Sequence, residues 1–192
     1  MPRERPIWFP HMRFLVALAA MSTAVLVMSP IATPGSPTKV ERRAALEAAV
    51  VLEMNRVRVA RGLRPLRAAP ALRTAARSHS QAMLDHGFFS HQSADGTAFN
   101  VRIRRYYTDR GFTKWSVGEA LMAGQGRAVD ASAIVSAWLE SPSHRTIVLS
   151  PVWRDAGIGV LYAPTAPQPF GGNEAIVVTA DFGLREGRAE TS

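Results

Sequence analysis

The chain has 192 residues, no cysteine and a formal net charge of +8. That length allows one domain with a sizeable core. The absence of cysteine excludes a disulfide-stapled scaffold, disulfide exchange and Cys-ligated zinc.

The chain opens with Arg3, Arg5 and Arg13, and residues 14–28 (FLVALAAMSTAVLVM) carry no charge. A basic start before a short apolar run predicts a secretory signal, or an N-terminal membrane anchor if it is not removed. Residues 1–30 are read as this segment. Residues 31–39, rich in Pro, Ser and Thr, are read as a linker. Residues 40–184 are read as the folded domain and 185–192 as a polar tail. The expected location is secreted or extracytoplasmic.

Within the domain, residues 40–61 predict a helix with an apolar stripe at Val50, Met54 and Val57, and Gly62 suits its end. Residues 70–85 predict a second helix, with Pro70 at its start and Gly87 just past its end. Its inner stripe includes Leu72, Ala75, Ala76, His79 and Met83, so His79 reads as a packed core residue. Thr97 can cap a third helix reaching about Asp109. Residues 115–122 predict a strand. Asp130 can cap a fourth helix to Glu140, and Pro142 starts a further helical turn bearing His144. Residues 156–162 and 175–182 are apolar and read as strands, joined by a loop over 163–173 that is rich in Pro and Gly. Early helices and late paired strands predict an α+β layered fold.

The positive charge suits anionic wall polymers, acidic lipid headgroups or nucleic acid. No nucleic-acid motif is present, which excludes that partner class from the reading. Arg102, Arg104 and Arg105 read as a solvated helix face beside Tyr106 and Tyr107. Trp138 and Trp153 read as core anchors.

Three short segments carry chemistry: Phe88-Phe89-Ser90-His91 with Asp95-Gly96 after it, Val117-Gly118-Glu119-Ala120-Leu121, and Ala137-Trp138-Leu139-Glu140-Ser141-Pro142-Ser143-His144-Arg145. Imidazoles and carboxylates bind metals and move protons near neutral pH. His91, Glu119 and His144 can hold zinc or another divalent cation. They can equally set a carboxylate against one ring as a general base, or serve as hydrogen-bonded structural residues. Ser90, Ser93, Ser141 and Ser143 lie near the histidines, but none sits in a G-x-S-x-G elbow. A Ser-His-Glu arrangement is the one triad this cysteine-free chain can supply.

These segments, together with Met54-Asn55-Arg56-Val57-Arg58, Gly62-Leu63-Arg64-Pro65-Leu66, Ala156-Gly157-Ile158-Gly159-Val160 and Thr179-Ala180-Asp181-Phe182-Gly183, resemble the CAP superfamily. That family comprises cysteine-rich secretory proteins, antigen 5 and pathogenesis-related 1 proteins, also called SCP domains. The likeness is to its bacterial, cysteine-free branch. The resemblance implies a three-layer α-β-α sandwich with a central antiparallel sheet and a cleft lined by two His and two acidic residues. Three of these map onto His91, Glu119 and His144. Where many relatives have an acid three residues after the helix Trp, this chain has Ser141. Glu140 is adjacent, but one residue along a helix turns about 100° and points elsewhere. The implied cleft is therefore His91, Glu119, Ser141 and His144. The resemblance implies a binding module for an envelope or extracellular ligand (wall polymer, lipid or protein), needing no cofactor but able to take a divalent cation. The alternative is a metal-dependent or Ser-His-Glu hydrolase with His91, Glu119 and His144 as catalytic residues.

Overall fold

The structure, a computed structural model, describes residues 39–187. The export segment expected over 1–30 lies outside the described residues. In chain order the elements are β1 (Glu41–Arg42), α1 (Ala44–Val59), β2 (Arg67–Ala68), α2 (Pro70–His86), α3 (Phe99–Arg104), β3 (Lys114–Gly124), α4 (Ala131–Glu140), α5 (Pro142–Val148), β4 (Asp155–Ala163) and β5 (Ala175–Glu186). The strands form one sheet ordered β1-β4-β5-β3, with the short β2 pairing parallel to β4.

Strand alternation sorts the core into two layers. Ile176, Val178, Ala180 and Phe182 of β5 pack with Val50, Met54 and Val57 of α1, Trp138 of α4 and Val148 of α5. The intervening residues face the other way, where Ala175 and Val177 meet Met83 and Leu84 of α2. Leu72 and Ala75 of α2 pack with Ile103 and Tyr107 on that side. The result is the expected α-β-α sandwich, with α2 and α3 on one face and α1, α4 and α5 on the other.

The local signals explain most boundaries. Pro70 starts α2, and Gly87 ends it at φ 63°, a left-handed cap any Cβ would strain. Asp130 caps α4, its Oδ1 accepting from Ala133 N at 2.8 Å. Gly157 and Gly159 let α2 lie directly on β4: a Cβ on Gly157 would sit 2.0 Å from Arg73 N.

Three expectations need correction. The first helix begins at Ala44, because Glu41 and Arg42 extend to pair with Tyr162 and Leu161 of β4. The third spans Phe99–Arg104 only and is preceded by Ala98, with no side-chain cap from Thr97. Strand β5 continues to Glu186, two residues into the segment read as tail, because β3 pairs with it as far as Lys114.

Candidate functional site

The loop after α2 delivers His91. It is tied down from both sides: His79 Nε2 bonds Ser90 O at 2.8 Å, and Arg102 donates to His91 O at 2.8 Å. Gly96 turns the loop, its N–H donating to Ser93 O at 2.9 Å while Asp95 Oδ1 accepts from Thr97 N at 2.9 Å. Strand β3 delivers Glu119 on the face that α2 and α3 cover. His91 Nδ1 and Glu119 Oε1 are 2.7 Å apart. Arg102 closes on Glu119 Oε2 in an ion pair. The Glu119 side chain is fully buried, whereas that of His91 is 34% exposed. The carboxylate therefore holds an imidazole at the surface from below.

Arg102 is a correction to the reading of its trio as a solvated face. Helix α3 is short and turns Arg102 inward, leaving it 6% exposed. Arg104 does lie at the surface, over the Trp115 ring at 4.6 Å. The trio has no helical periodicity of its own, so sequence carried no signal for which arginine would turn in.

Asp181, like Arg102, carries no sign in the sequence that it meets Glu119. The register of β5 against β3 sets it directly opposite Glu119. It is completely buried, and neither carboxylate oxygen meets a donor. Burial first, and then the Glu119 charge, push its pKa well above the carboxylate range, against the pull of Arg102. Both causes favour the protonated form of Asp181, the form whose burial costs less. His79, packed in the core as expected, is held neutral. Burial lowers its pKa to about 4, with Arg102 and His91 adding to the shift and Glu119 opposing it.

The other two expected residues, Ser141 and His144, lie at the α4–α5 junction. Ser141 ends α4 and opens α5 with φ −82° and ψ 120°. Its Oγ lies 2.9 Å from His144 Nδ1 and 3.2 Å from Ser143 Oγ. His144 is buried, while Glu140 is exposed, as the helical turn requires. Helix α5 packs on β3. Its C-terminal end is pinned by the buried Arg58, which donates to Val148 O at 2.7 Å and Ser150 O at 3.0 Å. The four expected residues form two bonded pairs, His91–Glu119 beneath the loop after α2 and Ser141–His144 at the α4–α5 junction.

This pairing bears on the metal expectation. A zinc ion with three protein ligands needs Glu119 as an oxygen donor. Both Glu119 oxygens are already engaged, one by a guanidinium. Among the described residues, no three His, Asp or Glu side chains are grouped as a metal site requires. The geometry fits Glu119 as the group that orients His91, as second-shell carboxylates do, and does not fit it as a third ligand.

Comparison with known proteins agrees with this fold. The model of the cysteine-rich secretory protein (CAP) family matches residues 51–182. Protein YkwD of Bacillus subtilis (strain 168) is 32% identical over 128 residues, which are 66% of this chain and 46% of that protein. The chain thus spans under half the length of that relative. An outer surface protein of Borrelia burgdorferi superposes with TM-score 0.61 at 21% identity, over 78% of this chain and 99% of that one. An extracellular SCP-domain protein of Bacillus anthracis gives TM-score 0.57 at 22% identity, over 74% of this chain and 41% of that one. At these identities the structures speak to fold alone. No helix among the described residues is long and apolar enough to cross a membrane. A family match over more than half the chain, on a sheet and helices of the same arrangement, places this chain in the cysteine-rich secretory protein (CAP) family.

Proposed function

We propose that this protein is an exported binding module whose CAP domain takes an envelope or extracellular ligand at the cleft of His91, Glu119, Ser141 and His144. One observation carries the reading. The Glu119 carboxylate is buried and gives both oxygens to His91 and Arg102. A carboxylate so committed fixes the shape and charge of a surface; a general base needs an oxygen for the substrate's proton. Export is supported by the basic, apolar start of the chain and by relatives described as extracellular or outer surface proteins.

The hydrolase alternative draws on the Ser141–His144 bond. Against it, the hydroxyl and the carboxylate are paired with different imidazoles, whereas a triad needs both on one ring. A divalent cation, if taken, would be held through His91 and His144 with Glu119 orienting one ring.

Turnover assays on the purified chain with peptide and ester substrates, with and without zinc, separate the readings. The expected result is no hydrolysis above background. Turnover abolished in Glu119→Gln, with that variant still folded, establishes the hydrolase instead. Zinc calorimetry on wild type and on His91→Ala/His144→Ala tests the cation: equal affinities remove it from the cleft.

A further inference from the structure

A concave site lies where β4 begins and β5 ends. The α1–β2 connection brings Arg64 and Pro65, β2 brings Arg67, Arg154 precedes β4, and Arg185 and Glu186 close β5; together they line a hollow of about 350 Å³. Backbone bonds fix this convergence. Arg67 N donates to Arg154 O at 2.9 Å, and Arg154 N to Gly183 O at 3.0 Å.

Two of the arginines are set in place before any ligand arrives. The Arg185 guanidinium lies 3.6 Å over the Tyr107 ring and 4.9 Å from that of Phe112. Arg154 donates to the carbonyls of Pro151 and Val152 at 2.9 and 2.8 Å. Carboxylates balance only part of the charge. Asp155 pairs with Arg67 at 2.9 Å. Glu186 pairs with Arg154 at 3.0 Å and faces Lys114 at 3.8 Å. Arg64 is exposed and meets no carboxylate among the described residues. Five cationic groups therefore stand against two carboxylates.

We propose that this hollow binds a phosphodiester polyanion that carries no bases, such as a polyol-phosphate chain. Guanidinium N–H pairs match phosphate oxygens in a two-point fit, and fixed guanidinium groups lose little freedom on binding. A repeating polymer can seat one phosphate in the hollow, at Arg64 and the fixed arginines, and reach Lys114 with the next. The site lacks what a nucleic acid would add: base stacking needs an open aromatic face, and here Arg185 covers Tyr107 and Phe112.

The test titrates the purified full chain with a labelled poly(glycerol phosphate) oligomer, and with single-stranded DNA and polyglutamate of equal charge, at several salt concentrations. Saturable binding to poly(glycerol phosphate) that weakens with salt is expected, as release of bound counterions demands. Arg64→Gln/Lys114→Gln changes two exposed side chains and should weaken binding about tenfold or more, the loss of at least one charged contact. Arg42→Gln/Arg73→Gln removes the same charge from exposed positions elsewhere and should change it by less than about threefold. Thermal melts coincident with wild type verify the fold of both, and Arg64→Glu alone should weaken binding as well. Absent binding, equal losses in the two double variants, or tighter binding of DNA or polyglutamate would each overturn the proposal.

Discussion

Replacing Glu119 by Gln isolates the buried charge beneath His91 while keeping its volume. In the wild type the Glu119 side chain is fully buried and that of Arg102 is 7% exposed. The substitution leaves the guanidinium without its carboxylate inside the protein. Removing one partner of a buried pair costs about 3–5 kcal/mol. Asp181 lies opposite Glu119, and burial and then the Glu119 charge raise its pKa. In the variant the second of these causes falls away, which offsets part of the loss, so the net destabilisation should be about 2–4 kcal/mol. For a domain of this size that lowers Tm by about 4–16 °C. Urea unfolding followed by the fluorescence of Trp138 and Trp153 provides the assay. Arg102→Met and the double variant complete a mutant cycle, and their coupling should be about 2 kcal/mol or more. If Glu119→Gln unfolds within about 1 kcal/mol of wild type, the buried pair is not what holds the His91 loop in place, and the argument for Glu119 as a structural anchor fails.

Two further outcomes follow from the same geometry. Native His79 titrates near 4 instead of its usual 6.5, so below pH 6.5 the unfolded chain binds the proton first. Its contribution, about 3 kcal/mol, is present above pH 6.5 and lost as pH falls toward 4. His79→Gln should flatten the stability profile across that window, and an unchanged slope in denaturant titrations would refute the assignment. Gly157→Ala places a methyl 2.0 Å from Arg73 N and 2.2 Å from the Leu72 carbonyl carbon. Backbone on both sides cannot yield cheaply, so a loss of about 3 kcal/mol or more is expected in thermal melts, and a neutral result would mean that α2 does not lie this close to β4.

Much of the architecture was legible because it is written in local signals. Pro70 and Gly87 bracket α2, Asp130 caps α4, and apolar runs mark β4 and β5; each acts within a few residues of itself. His91, Glu119 and His144 stand out in the sequence as candidates because they sit in recognisable short segments. Tertiary structure decided which of them are bonded. The pairing of Glu119 with His91 and of Ser141 with His144 joins segments or fixes rotamers that no periodicity encodes.

The burial of Arg102 and Asp181 was decided in the same way. Asp181 lies in an apolar strand, and its meeting with Glu119 depends on the register of β3 against β5, set by the whole length of both strands. Arg102 belongs to a cluster that reads as solvated until a six-residue helix turns one member inward. The two-residue strands β1 and β2 are too short to show any alternation, and they exist because β4 offers an edge to pair with. The sequence by itself therefore determined the layers and those element ends that Pro70, Gly87 and Asp130 mark. Only long-range pairing determined the cluster's charge, because a group's ionisation depends on neighbours brought together from distant parts of the chain.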